Sequence, residues 1–166
     1  MSKHDNLIFI DCEARGASAV SGTLTEFGAV HYTSRKTYHG IIYEGKPDPT
    51  NPAIPLVGKQ VAELQDVANA FDKWVKEVCG KNRPSFVSDN PAYDWQWIAG
   101  LFDVAGIDNP FGHSARRISD FYAGLTGNWH NTQSWKGLRK TVHDHNPVND
   151  AMGNVEAFER ILAGER

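Results

Sequence analysis

The sequence predicts an α/β fold in which a mixed β-sheet is flanked by helices. Two observations lead to this prediction. First, three apolar segments near the start follow one another with only short turns between them, which is typical of an antiparallel meander. Second, the next part of the chain alternates strand and helix candidates, an order that favours parallel pairing with helices packed on the sheet. The 166 residues are 40% hydrophobic and 22% charged, which suits one sizeable core.

The meander is predicted from three segments. Leu7–Asp11 has the β-branched and aromatic bias of a buried strand. Leu24–Tyr32 and Tyr38–Glu44 follow it after turns of small or polar residues. The next segment, Gly45–Pro55, carries four prolines, which predicts a surface loop without regular structure.

The rest of the chain predicts one further strand and several helices. Asp66–Cys79 has apolar residues at helical spacing, and Gly80 follows as a stop. Pro84–Ser88 is a strand candidate, and a helix from Pro91 to about Ala105 begins just after it. Three more helical segments complete the prediction: Ile118–Leu125, Ser134–Val142 and Asn149–Leu162.

Composition narrows the classes of protein to consider. No apolar run approaches the roughly 18 residues of a membrane span, and no signal-peptide pattern is visible. Two cysteines form neither a disulfide framework nor a zinc site, so a cytoplasmic location is expected. The net charge of -3 is compatible with nucleic-acid binding, which needs only a local basic patch. Without repeats or long linkers, residues 1–166 are expected to form a single domain.

Asp11 and Glu13, at the end of the first predicted strand, are the first candidate site residues. Successive side chains on a strand point to opposite faces, so these two share a face and Cys12 points away. Adjacent carboxylates repel each other unless a cation lies between them, and hard divalent ions such as Mg²⁺ prefer oxygen ligands. The pair therefore indicates half of a metal site. The alternative is two solvated residues at the exit of a strand.

Asp94 is the candidate for the second part of that site. It lies in the first turn of the helix predicted from Pro91, on the stripe that continues through Ile98 and Leu101. A carboxylate on an inward stripe is costly to bury unless it is paired or binds a metal. The structural alternative is that Asp94 complements the helix dipole. Asp89, just before the helix, is interpreted as a turn or cap residue.

The third part is a histidine five positions before an aspartate, His145 and Asp150, with Pro147 between them. This spacing places the histidine on a loop and the aspartate in the first turn of the last helix. A loop histidine beside a metal site can accept a proton from water because imidazole titrates near neutrality. His143 is an alternative base, although no acid follows it at that spacing. A transition-metal site at His143, Asp144 and His145 is a further alternative.

These residues resemble the motifs of the DEDDh 3′–5′ exonucleases, the family of ribonuclease T, oligoribonuclease and the proofreading subunit of bacterial polymerase III. Residues 11–16, DCEARG, resemble the first motif, DxExxG, and residues 25–30, TEFGAV, resemble the strand that usually follows it. Residues 88–94, SDNPAYD, resemble the second motif, and residues 145–150 match the third. The resemblance spans roughly residues 7–162 and is greatest to the short stand-alone exoribonucleases.

The resemblance implies a ribonuclease H-like fold and two-metal-ion hydrolysis of single-stranded nucleic acid from a free 3′ end, with release of 5′-mononucleotides. It implies that two ions, Mg²⁺ or Mn²⁺, are held by four carboxylates: Asp11, Glu13, Asp94 and Asp150. Asp11 is expected to bridge the ions and His145 to act as general base. Likeness to the small stand-alone members favours RNA as the substrate and suggests a homodimer. No association with membranes is expected, because no apolar run is long enough to span one.

Substrate contacts are predicted at Arg15, at the backbone around Gly16 and at Trp95 beside Asp94. Relatives hold the terminal nucleotide in the region that follows the first motif, so the Ala and Arg at positions 14 and 15 bear on substrate preference rather than on chemistry. A group of basic residues could bind phosphate or form a solvated helix face. This group consists of Arg116, Arg117, Lys136, Arg139 and Lys140.

Three other functions remain open at this point. The first is a nucleic-acid-binding module that keeps the fold but does not cleave. The second is a ribonuclease H-like endonuclease, which would share the paired carboxylates but has no need of the spacing between His145 and Asp150. The third is an exonuclease specific for DNA.

Overall fold

The computed structural model describes residues 4–47, 50 and 55–166 of the chain. Its strands are β1 (Leu7–Arg15), β2 (Thr23–His31), β3 (Thr37–Ile41), β4 (Tyr43–Pro47), β5 (Pro55–Gln60), β6 (Ser85–Ser88) and β7 (Ala115–Arg117). Its helices are α1 (Leu64–Cys79), α2 (Pro91–Ala105), α3 (Ile118–Thr126) and α4 (Pro147–Leu162), with a 3₁₀ segment at Ser134–Leu138.

The main sheet is mixed, as predicted. It has five strands in the order β3-β2-β1-β6-β7. The first three strands form an antiparallel meander, whereas β6 lies parallel to β1 and β7 lies parallel to β6. β1 therefore lies between β2 and β6, and its C-terminal end lies in the middle of one edge of the sheet. A separate two-stranded sheet contains β4 and β5.

Two apolar layers form on the two faces of the sheet because the side chains of β1 alternate. Ile8 and Ile10 point to the layer that α1 and α2 cover, and Phe9 points to the layer of α3 and α4. All three side chains are fully buried. In the first layer, Phe71 of α1 packs with its ring 4.8 Å from that of Phe27 on β2. The amphipathic pattern of each helix thus determines which face of the sheet it covers.

The start of α4 lies directly on β2, over Gly28. A Cβ at position 28 would overlap the backbone of Pro147 and Val148, so only glycine allows this approach. The helix begins at this point because Asn146 caps it: the Asn146 side-chain oxygen accepts a hydrogen bond from the Val148 N–H at 3.0 Å. Gly28 is the β2 residue that pairs with Asp11 of β1. The first turn of α4 is thereby positioned beside the half of β1 that carries Asp11 and Glu13, which we call the polar half of β1.

The third predicted strand, Tyr38–Glu44, is divided between the two sheets. β3 ends at Ile41, and β4 begins at Tyr43 and pairs with β5 instead. Between them Ile42 buries its side chain in the core, and its N–H donates to the Thr25 carbonyl oxygen at 2.9 Å. The prediction of one continuous strand is wrong because this inward residue interrupts the ladder.

The prediction of no regular structure in Gly45–Pro55 is wrong at both ends. Residues 45–47 belong to β4, and residue 55 begins β5. Proline lacks an N–H and is tolerated on edge strands, and both strands of a two-stranded sheet are edges. Residues 48–49 and 51–54 of that segment lie outside the described part of the chain.

After α2 in the chain, the observed elements differ from the predicted ones in smaller ways. β7 has three residues and is too short to show a period in the sequence. The helix predicted over Ser134–Val142 is a 3₁₀ segment that ends at Leu138 and buries Trp135, because a glycine within it disfavours a longer helix. α4 begins at Pro147 rather than near Asn149, since proline suits the first helical position.

The helices predicted over Asp66–Cys79 and Pro91–Ala105 are confirmed, although α1 begins at Leu64. Gly80 ends α1 with a φ of 57°, a backbone conformation that favours glycine. Among the helices that the structure describes, none is both long and apolar enough to cross a membrane.

The Gly28→Ala variant is expected to be destabilised by roughly 1–3 kcal/mol, because its methyl group must displace the backbone at the start of α4. Urea unfolding measures this loss. The matched control is Gly124→Ala in α3, where an added Cβ meets nothing within 4 Å. That control should gain roughly 0.5–1 kcal/mol, as is usual for alanine in a helix. Equal stability of the two variants would contradict the close approach.

Candidate active site

Three carboxylates meet beside the polar half of β1: Asp11 and Glu13 of β1 and Asp150 of α4. One oxygen atom from each lies within 4.8 Å of the other two. Glu13 is 9% exposed and Asp150 is 3% exposed, so the cluster is largely removed from water. β1 continues past both of its acids to Arg15, so they are strand residues rather than residues at its exit. This excludes the alternative of two solvated carboxylates.

Asp94 joins the cluster from the first turn of α2. Its Oδ1 accepts a hydrogen bond from the backbone N–H of Cys12 at 3.0 Å. The Cys12 thiol in turn donates to the Asp94 carbonyl oxygen at 3.6 Å. These contacts attach the start of α2 to the β1 residue that lies between Asp11 and Glu13. Asp94 is buried, and its inward position agrees with the stripe seen in the sequence.

Burial is the largest cause of the raised pKa values of three of these carboxyl groups, those of Asp11, Glu13 and Asp94. It raises the pKa of Glu13 to about 8, with a further contribution from the nearby charge of Asp150. Burial also raises the pKa of Asp94 to about 7, although the hydrogen bond from the Cys12 N–H lowers it. Burial and then the charges of Asp94 and Glu13 raise the pKa of Asp11 well above its usual range. A cation among these groups would remove the repulsion.

One oxygen of Asp150 tests whether this site fits a divalent ion. Oδ1 accepts a hydrogen bond from the Asp144 N–H at 3.3 Å. Oδ2 is fully buried and has no hydrogen bond from any described residue. The Nδ1 atom of His143 lies 2.8 Å from Oδ2 without the alignment of a hydrogen bond, so a cation would compensate for the burial of this oxygen. The all-oxygen donor set and this unsatisfied atom fit a hard divalent ion.

Two histidines of the loop before α4 lie beside the carboxylates. Nδ1 of His145 is 4.0 Å from the Glu13 carboxylate, and Nδ1 of His143 is 2.8 Å from Oδ2 of Asp150. Their side chains are 45% and 51% exposed. The structure therefore places both candidate bases at the site. The sequence did not place His143 against Asp150, because the φ of 60° at His145 turns the loop in a way that no local pattern indicates.

Arg139 adds a positive charge near the cluster. Its guanidinium donates to Oδ1 of Asn154 at 2.6 Å and lies 5.1 Å above the ring of Trp135. Its charge opposes the rise in the pKa of Asp11, which burial chiefly causes. Gly153 of α4 leaves room for the Arg139 side chain, whose methylene carbons lie at contact distance from a Cβ built there. Arg139 is thus more than a residue of a solvated helix face.

Asp89 lies in the bend between β6 and α2, which agrees with its interpretation as a turn residue, whereas its interpretation as a cap is wrong. Asn90 occupies the N-cap position of α2, and its side chain makes no capping hydrogen bond. The Asp89 carboxylate instead forms an ion pair with Lys136 at 2.7 Å and accepts a hydrogen bond from Ser119 at 3.3 Å. The backbone carbonyl oxygen of Asp89 accepts from Arg117 at 3.2 Å. Arg139 also lies 3.7 Å from the Asp89 carboxylate, so three basic residues of the predicted phosphate-binding group are engaged in internal contacts.

The predicted substrate contacts lie in two places. Arg15 ends β1 with its guanidinium 5.7 Å from the ring centroid of Tyr43, and Gly16 begins the following loop with a φ of 92°. Trp95 is partly buried, and its ring edge packs against Phe86 at 5.3 Å. Substrate binding by these residues stays a prediction.

The fold and the site define a DEDDh-type 3′–5′ exonuclease, which confirms the resemblance seen in the sequence. The chain belongs to the 3'-5' exoribonuclease Rv2179c-like domain family, whose model matches residues 6–162. It is 25% identical over 173 aligned positions to the 3'-5' DNA exonuclease Cap18 of Escherichia coli, covering 95% of this chain and 92% of that protein.

A solved structure shows the same fold. It is the nuclease domain of 3'hExo, a DEDDh family member, bound to rAMP, and it superposes with a TM-score of 0.67 at 13% identity. The superposition covers 98% of this chain and 94% of that one. The mixed sheet with flanking helices is therefore the ribonuclease H-like arrangement expected from the motifs.

Without divalent ions, stability is expected to fall as the pH rises from about 5 to about 8. The folded protein keeps the Glu13 proton up to a pKa of about 8, whereas the unfolded chain releases it near 4.5. The stabilising contribution is thus complete below the lower value and lost as the pH passes the upper one. Thermal unfolding in EDTA should show a loss of roughly 2–4 kcal/mol, and Mg²⁺ should restore it at the higher pH.

The matched variant is Glu13→Gln, which carries no proton to lose. In EDTA it should be more stable than the unmodified protein at about pH 8 and show a flatter pH profile. An identical profile for the two proteins would show that the buried Glu13 carboxyl does not cause the loss.

Proposed function

We propose that this protein is a metal-dependent 3′–5′ exonuclease that hydrolyses single-stranded nucleic acid, preferably RNA, and releases 5′-mononucleotides. The observation that carries this proposal is the cluster of Asp11, Glu13 and Asp150, in which one carboxylate oxygen from each residue lies within 4.8 Å of the other two. Such a cluster suits a divalent cation and little else. The family to which the chain belongs supports both the direction of hydrolysis and the choice of RNA.

The acids have distinct tasks in this proposal. Asp11, Glu13 and Asp150 would hold one ion, Mg²⁺ or Mn²⁺, and Asp94 would contribute to a second. Bound ions supply Lewis-acid stabilisation of the charge that develops on the attacking and leaving oxygens. The protein contributes a largely dry surrounding, in which charge interactions are stronger than in water.

His145 accepts the proton of the attacking water. Its ring is half exposed, so it is open to solvent, and its Nδ1 lies 4.0 Å from the Glu13 carboxylate. Imidazole is suited to this task because it accepts a proton near neutral pH. Arg15 and Gly16 follow Glu13 by two and three residues in the chain, and in this proposal they hold the terminal nucleotide. Arg139, whose charge acts on Asp11, is a further source of positive charge for the phosphate in this proposal.

A DNA exonuclease is the second candidate function. The observation in its favour is the identity of 25% to a 3'-5' DNA exonuclease over 95% of this chain. The chemistry at the carboxylates would be the same for both polymers. The choice depends on whether the site recognises the 2′-hydroxyl of the terminal nucleotide.

A gel time course with 5′-labelled single-stranded RNA and DNA of one sequence tests the proposal. With Mg²⁺ or Mn²⁺ the label should appear in a ladder that shortens from the 3′ end, and EDTA should abolish it. Asp150→Asn should lose hydrolysis, by at least about 1000-fold, because it removes a ligand of the ion. The control Asp103→Asn changes an exposed acid of α2 and should leave the ladder unchanged.

The same gel separates the alternatives. Faster shortening of DNA would assign the second candidate function, and internal fragments would indicate an endonuclease. Binding without shortening under every metal would indicate the non-cleaving module. Undiminished hydrolysis by Asp150→Asn would overturn the assignment of the site.

His145→Ala should reduce the rate by about 10²–10⁴-fold, the usual contribution of a general base. The ions do not depend on this residue, so the rise in unfolding temperature that Mg²⁺ causes should persist in the variant. The expected combination is a slow enzyme that still responds to the ion. A variant that no longer responds to Mg²⁺ would show that His145 is a ligand rather than a base.

A further inference from the structure

A second group of metal-ligating side chains adjoins the carboxylate cluster. His143, His145 and Asp150 each offer one ligand atom within 4.8 Å of the other two. The rings of the two histidines meet edge to face, with centroids 4.5 Å apart. We call this group the histidine cluster. It differs from the carboxylate cluster in its donors, which are two nitrogens and one oxygen.

Asp150 belongs to both clusters, and its Oδ2 faces the histidine cluster. Nδ1 of His143 lies 2.8 Å from this oxygen, yet the contact does not have the alignment of a hydrogen bond. The oxygen is buried and receives no hydrogen bond from any residue that the structure describes. An unsatisfied oxygen and an imidazole nitrogen that face each other in this way can both donate lone pairs to one cation.

The backbone supports the same interpretation. His145 has a φ of 60°, which is uncommon for a residue with a Cβ and costs on the order of 1–3 kcal/mol. Strained residues of this kind cluster at ligand sites, where the surrounding structure holds them in place. With His145 in this conformation, its ring lies against that of His143 at the edge of the carboxylate cluster.

The donor set selects the kind of ion. Mg²⁺ prefers oxygen ligands in an octahedral shell of about 2.0–2.1 Å, whereas Zn²⁺ accepts imidazole nitrogen and carboxylate oxygen at about 2.0–2.2 Å. Zn²⁺ is commonly held by three protein ligands with a fourth position left to solvent. The half-exposed rings of His143 and His145 leave such a position open and can rotate to adjust the distances.

We propose that His143, His145 and Asp150 form a zinc site that competes with the nuclease centre. An ion there would use the Asp150 oxygen that the catalytic ion needs and the His145 lone pair that the attacking water needs. Zn²⁺ would therefore inhibit hydrolysis even when Mg²⁺ is in excess. The inhibition rests on the proposed function, whereas the binding of zinc does not.

Zinc binding is measured first, without any nucleic acid, by competition with a chromophoric chelator. The key variants are His143→Gln, which removes a nitrogen ligand, and Asp11→Asn, which weakens the carboxylate cluster and leaves the histidine cluster complete. His143→Gln should weaken zinc binding by about 100-fold, because even the loss of an outer-shell partner costs about 10–100-fold. Asp11→Asn should keep it, as should the control His113→Gln at an exposed histidine.

The second measurement is the ratio of hydrolysis rates with and without Zn²⁺ at saturating Mg²⁺, taken within each protein. The ratio should be small for the unmodified protein and for His113→Gln, and near one for His143→Gln. Zinc binding that survives His143→Gln and disappears in Asp11→Asn would place the ion at the carboxylates and overturn the proposal. Zinc binding that depends on His143, in a protein that cleaves nothing, would uphold the site and refute the nuclease.

Discussion

The contact between the start of α4 and Gly28 is the constraint on which the site depends. α4 can lie on β2 only where no side chain intervenes, and Gly28 provides that place opposite Asp11. The helix then carries Asp150 to the two acids of β1. The third carboxylate of the cluster is thus positioned by a packing contact between backbones. Because protein interiors are closely packed, a shift of this helix would move Asp150 with it.

The burial that packing imposes also determines the electrostatics. Carboxylates held in a largely dry region disfavour the charged form, so their pKa values rise, to about 8 for Glu13 and about 7 for Asp94. The same low polarity strengthens the attraction of any cation that enters. The pH dependence of stability and the proposed metal binding would therefore follow from the same burial of these carboxylates. Arg139 moderates the repulsion without neutralising the cluster.

Asp150 links two donor sets of different character. On one side it joins the oxygens of Asp11 and Glu13, and on the other the imidazoles of His143 and His145. Hard ions favour the first set and borderline ions favour the second. The identity of the ion can therefore decide which set Asp150 serves. His143 and His145 are both about half exposed, so a cation from solvent can reach either ring.

The sequence by itself determined the features that depend on local pattern. Apolar periodicity located β1, α1 and α2, and the spacing of acids and one histidine identified the family. Only the tertiary structure decided the features that depend on distant contacts. The break at Ile42 follows from its packing, the β4–β5 pair needs two segments that are separate in the chain, and the contact of His143 with Asp150 follows from a loop turned at His145. Such contacts leave no periodicity in the sequence, because each is set by what packs against it.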